Sequence, residues 1–161
     1  LRGGSFAAAF YLHDGESVRQ VESGDTVRAG DRIGFRLLLR EARHVMIVGV
    51  DRSGSVYACH PQDNGGQSIG YPAADAPVDV KEAMRFDATA GDERLVAIAC
   101  HQAFQLSELE LKFAAAGRNL AASEPTPVLL DDCIQRDVVL TKVPAGTPDG
   151  APKDGLLGGE R

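Results

Sequence analysis

Long apolar runs, basic stripes and catalytic signatures are all scarce in this chain, and each shortage removes a class of function. No apolar stretch approaches the roughly 18 residues that a membrane-spanning helix needs, so this segment is not expected to insert in a membrane. Lys and Arg number 17 against 23 Asp and Glu, a formal charge of −6. That balance provides no basic stripe to neutralise a phosphate backbone, and nucleic acid is not an expected partner. The N-terminus lacks a basic n-region with a small-residue cleavage site. It opens Leu1-Arg2-Gly3-Gly4-Ser5, so residues 1–5 read as a linker or an artificial boundary, with any targeting signal of the parent protein expected upstream. Cysteine is limited to Cys59, Cys100 and Cys133, with no CxxC spacing. One thiol is left over if a disulfide forms, and all three stay reduced in a cytosolic protein.

Motifs for chemistry are missing as well. There is no GxSxG elbow with a helix behind its serine. The stretch Asn64-Gly65-Gly66-Gln67-Ser68 has neither the P-loop lysine nor a following helix. Asp63 is its one carboxylate, beside the amide oxygens of Gln62 and Asn64, which is too few hard ligands for calcium. Two dipeptides, Cys59-His60 and Cys100-His101, carry zinc-type donors. Neighbours on a regular strand point to opposite faces, so both members of a dipeptide reach one metal only across a bulge or turn. A cysteine nucleophile built from Cys59 or Cys100 with His44, His60 or His101 needs an orienting third group and oxyanion donors, neither of which the pattern supplies. Asp131-Asp132 reads as a solvated turn, not an acid/base pair. The expectation is therefore no enzyme, no catalytic residue, no cofactor and no metal.

What is present is the rhythm of a β protein. The 161 residues, 43% hydrophobic and 25% charged, suffice for one domain with a sizeable core. Turn signals recur at Asp14-Gly15, Ser23-Gly24-Asp25, Ala29-Gly30-Asp31, Ser53-Gly54, Asn64-Gly65-Gly66 and Ala90-Gly91-Asp92. Between them Arg32 to Leu39 alternates, with Ile33, Phe35, Leu37 and Leu39 on one side and Gly34 and Arg36 on the other. Val45 to Val50 is apolar on both faces, which predicts a central, doubly covered strand. Val56 to Cys59 returns beside it after a turn at Asp51 to Gly54. Met84 to Asp87 and Arg94 to Ala99 flank Ala90-Gly91-Asp92 as a second hairpin, and Phe6 to Leu12 and Val138 to Val143 complete the sheets. One helix is expected, capped by Ser107, carrying Leu106, Leu109, Phe113 and Ala116 at three- and four-residue steps and ended by Gly117. It is expected to cover a sheet edge or an open end. Glu124 to Pro127 reads as a linker. The predicted fold is mainly β, an immunoglobulin-like antiparallel β-sandwich with one short helix over residues 6–143, followed by a disordered tail over 144–161. Ile33, Phe35, Leu37, Ile47, Val96 and Ile98 are expected in one core between the sheets.

Three stretches carry a family resemblance: Ala29-Gly30-Asp31-Arg32-Ile33 opening a strand, Val45 to Val50 followed by Asp51-Arg52-Ser53-Gly54-Ser55-Val56-Tyr57, and His60-Pro61. With Ala90-Gly91-Asp92-Glu93-Arg94-Leu95 to Cys100, their order resembles the bacterial family catalogued as domain of unknown function 4384, over about Gly24 to Val143. The resemblance implies a β-sandwich accessory module attached to other domains, such as anti-sigma-like, kinase or caspase-like peptidase domains, with no catalytic residues to carry over. Cys59 departs from it, standing where such domains often have an aromatic residue.

Two expectations about sites follow. Cys100 ends one apolar strand and Cys133 precedes the closing one, so antiparallel pairing brings them together as a candidate disulfide, against the alternative of three reduced thiols. Such a bond would place the domain outside the cytoplasm, in the periplasm or envelope. The polar loop from His60 to Ala76 is the expected exposed surface, with Gln62, Asp63, Asn64, Gly65, Gly66 and Gln67 as candidate ligand or partner contacts. The expected function is a non-catalytic interaction or sensory module of a larger bacterial envelope or regulatory protein. Its partners would be the parent's other domains, a protein or a small ligand. The alternatives are a structural subunit of an envelope assembly and a Cys-dependent hydrolase or redox protein.

Overall fold

Alternation of apolar and polar residues, cut by glycine turns, produces two stacked sheets in a computed structural model that describes residues 4–116 and 129–147. The first sheet comprises β1 (Phe6–Asp14), β2 (Ser17–Val21), β4 (Arg32–Leu39), β8 (Val78–Asp79) and β9 (Met84–Arg85). They run in the order β2-β1-β4-β8, with β9 also on β4. The second comprises β3 (Thr26–Arg28), β5 (Arg43–Val50), β6 (Val56–His60), β7 (Ile69–Tyr71), β10 (Gly91–Cys100) and β11 (Cys133–Val143). Their order is β3-β11-β10-β5-β6, with β7 also on β5. Every pair is antiparallel except β11 with β3. The helix α1 spans Leu106–Ala116.

The fold is a β-sandwich with a helix laid on one outer face. Between the sheets pack Phe6, Phe10, Ile33, Phe35, Leu37, Leu39, Val45, Ile47, Leu95, Leu140 and their neighbours. Phe10 and Phe35, directly opposed across β1 and β4, meet edge-to-face at 5.9 Å. A second apolar cluster lies behind the second sheet, where Met46, Val48, Val50, Val96 and Ile98 meet Phe104, Leu109, Phe113 and Leu129.

That second cluster corrects one expectation and widens another. Val96 and Ile98 lie under the helix, not between the sheets, because the inward positions of β10 are Leu95, Ala97 and Ala99. The helix lies on the outer face of the second sheet, its backbone nearest the edge strand β6 and its apolar side packed with residues of β5 and β10, so it covers that edge and also the strands that are apolar on both faces.

Other departures are local. Met84–Arg85 pairs with β4 while β10 pairs with β5 and β11, so the turn before β10 crosses from one sheet to the other and makes no hairpin. Ser107 lies inside the helix. The Glu108 carboxylate accepts from the Gln105 N–H at 2.9 Å, closing the first turn in the reciprocal half of a capping box. The expected stop at Gly117, the Glu124 to Pro127 linker, the start of the N-terminal linker at 1–3, and the tail from residue 148 fall outside the described residues. Ser5 is tied to the first sheet, its carbonyl accepting from the Arg40 N–H.

Candidate functional site

The loop after β6 begins at an irregularity in the strand itself. Opposite β5, Val48 pairs with Ala58 but Ile47 pairs with His60, so Cys59 is the extra residue of a β-bulge. Both Cys59 and His60 consequently turn away from solvent, the exception to strand alternation that a bulge allows. They do not converge on one ligand position. The Cys59 thiol points at the Met84 sulfur, 3.5 Å away. The His60 ring sits between Glu82 Oε1, 2.5 Å from Nδ1, and the Tyr71 hydroxyl, 2.7 Å from Nε2. Among the described residues no group of His, Cys, Asp and Glu is arranged to hold a metal.

Glu82 also anchors the loop. Its second oxygen accepts from the Gln62 N–H at 3.0 Å, and the Gln62 side-chain amide donates to the Ala83 carbonyl at 3.1 Å. Asn64 donates from its side chain to the carbonyls of Gln67 and Ser68. Gly65 and Gly66 take φ of 63° and 76°, left-handed values that cost residues with a Cβ more than they cost glycine. The far end docks on the helix entry. The Gly66 carbonyl accepts the first helical N–H, from Leu106, at 2.7 Å, and Ser68 exchanges hydrogen bonds with Phe104 through its N–H and hydroxyl. Gln62, Asp63, Asn64, Gly65 and Gln67 remain exposed, and Gly66 is half-buried. The six residues singled out from sequence are thus gathered on one anchored loop. Tyr71 and Glu82, which hold its base, were missed. Tyr71 had a faint signal in the short run Ile69-Gly70-Tyr71, and Glu82 had none.

The electrostatics at this base favour neutral phenol and thiol. Burial, and second the charge of Glu82, raise the Tyr71 hydroxyl above the ordinary tyrosine range. Burial alone pushes the Cys59 thiol far above its usual range, so it is protonated at neutral pH, and a thiol in that state is a poor nucleophile. Cys100 and Cys133 are directly opposed across β10 and β11 and form the disulfide, leaving Cys59 as the free cysteine. His101, next to Cys100, is exposed, as are Asp131 and Asp132.

A second polar cluster escaped the sequence reading. Lys142 lies almost wholly buried at one end of the sandwich, in contact with Asp87 and 2.6 Å from Glu93 Oε1. Glu93 also receives the Tyr57 hydroxyl. Burial raises Glu93 above the ordinary carboxylate range despite Lys142. For Lys142 burial acts downward, but the two carboxylates outweigh it and leave the ammonium raised. The signal was the period of two along Val138, Leu140 and Lys142, which places the lysine on the inward face.

Set against family models, curated proteins and solved structures, the chain matches none of them.

Proposed function

We propose that this domain is a non-catalytic interaction or sensory module of a larger bacterial envelope or regulatory protein, akin to the family of domain of unknown function 4384, and that it engages a protein or small ligand through the loop from Gln62 to Gln67. The observation that carries this reading is a polar loop exposed at its tip yet hydrogen-bonded at both ends, to Glu82 and Ala83 on one side and to Leu106 and Phe104 on the other. A preformed loop loses less entropy on binding than a free one, and scaffold-held loops are where recognition concentrates. A protonated, buried Cys59 and a bonded Cys100–Cys133 pair speak against a cysteine hydrolase. The disulfide supports an oxidising compartment, the periplasm or envelope.

The test is an amide-resolved NMR screen of peptide and small-molecule libraries. Saturable shifts clustered on Gln62 to Gln67 and their anchors are expected, and Gln62→Ala with Asn64→Ala weakens them. No saturable shift on this loop with any library member, or turnover of an ester or peptide substrate that Cys59→Ser abolishes, would overturn it.

A further inference from the structure

The outer face of the first sheet carries a concentration of positive charge that the acidic composition conceals. β1, β4 and β9 lie side by side, and their register places His13, Arg32 and Arg85 in one row, His13 opposite Arg32 and Arg32 opposite Arg85. Neighbouring positions in such a row are about 5 Å apart. All three alternate with core residues, Leu12, Ile33 and Met84, so they face outward. Arg32 and Arg85 are exposed and His13 is half-buried, its ring lying against Gly34. The Arg85 guanidinium donates to the Gly30 carbonyl at 2.7 Å, a neutral acceptor, and makes no ion pair among the described residues. Arg32 makes no ion pair among the described residues. Farther along the same face Arg36 stacks over the Tyr11 ring at 5.2 Å and pairs with Asp79.

Like charges directly opposed across strands destabilise a sheet, and a bound anion would remove that cost. We propose that this face, centred on His13, Arg32 and Arg85, docks an acidic segment of a partner polypeptide. Charge complementarity names the occupant. A polyanion such as nucleic acid meets a molecule of net charge −6 and is repelled beyond the patch, whereas a short segment with a few carboxylates is not. A lipid surface would need apolar side chains to insert, and this sheet offers Val18 and Val78 as its exposed large apolar residues. The surface is separate from the Gln62 to Gln67 loop.

The experiment titrates the intact protein with a fluorescent peptide of alternating Glu and Val and with its Gln-for-Glu counterpart, at about 50 and 200 mM salt. Saturable binding of the acidic peptide is expected, weakened several-fold by the higher salt and absent for the Gln peptide. Arg32→Glu and Arg85→Glu each weaken it at least tenfold, a change of about 1.4 kcal/mol, while Gln62→Ala in the other loop leaves it unchanged. Circular dichroism melts verify that the variants fold, and Arg32→Gln serves if Arg32→Glu does not. No saturable binding, binding indifferent to both arginines, or tighter binding of single-stranded DNA or anionic vesicles through the same arginines would each overturn the proposal.

Discussion

Phe35 sits on the inward face of β4, edge-on to Phe10, almost wholly removed from solvent. Phe35→Ala is expected to cost about 3 to 5 kcal/mol in a denaturant melt. A loss under about 1 kcal/mol would mean that the strand faces solvent. Gly49 has a different constraint. It opposes Tyr57 across β5 and β6, and a Cβ there would overlap the Tyr57 ring, whose hydroxyl donates to Glu93. Gly49→Ala is expected to cost about 1 to 3 kcal/mol by forced repacking. The penalty should be smaller on a Tyr57→Ala background, a non-additivity that marks direct contact; equal penalties in both backgrounds would contradict the contact. Period-two alternation made Phe35 legible in the sequence. The Gly49–Tyr57 contact was not, because it depends on which strand returns beside which and in what register.

Among the elements, β10 and β11 are joined twice, by a ten-residue ladder and by the bond between its terminal pair, Cys100 and Cys133. The two cysteines are 33 residues apart in sequence, and chain entropy assigns such a crosslink about 3 to 4 kcal/mol. Cys100→Ala with Cys133→Ala should lower stability by about that amount, and peptide mapping without reductant should recover the crosslinked pair. Three free thiols in protein made in an oxidising compartment would contradict it. This pairing was readable from Cys100 ending one apolar run and Cys133 opening another. The short strands β2, β3, β7 and β8 were not readable. Two to five residues carry too little alternation to stand out, and Ser17–Val21 is exposed along most of its length, so only its pairing with β1 makes it a strand. The bulge at Cys59 was invisible for the same reason, since it is defined by a partner and not by the strand's own residues.

For the whole molecule, the buried Lys142 cluster ties stability to pH. Asp87 is held below the ordinary carboxylate range, first by Lys142, so its stabilisation is present above the unfolded aspartate value and lost as pH falls through the folded one. Lys142 is raised, so its stabilisation is present below the unfolded lysine value and lost as pH climbs through the folded one. Glu93 is raised by burial and works against folding once ionised. In Lys142→Met the Glu93 carboxylate is stranded, and a loss of about 3 to 5 kcal/mol is expected at neutral pH. The loss should shrink on acidification as Glu93 protonates, and Glu93→Gln should suppress it. A penalty independent of pH would contradict the pairing. The Gln62 to Gln67 loop is exposed yet preformed, held through Glu82, His60 and Tyr71 at one end and the helix entry at the other. Amide hydrogen exchange tests it most directly: the N–H groups of Gln62, Gln67, Ser68 and Leu106 should exchange well below their intrinsic rates, with Glu82→Gln speeding Gln62 selectively. Exchange of all four at the rates of an unstructured chain would contradict a preformed binding loop.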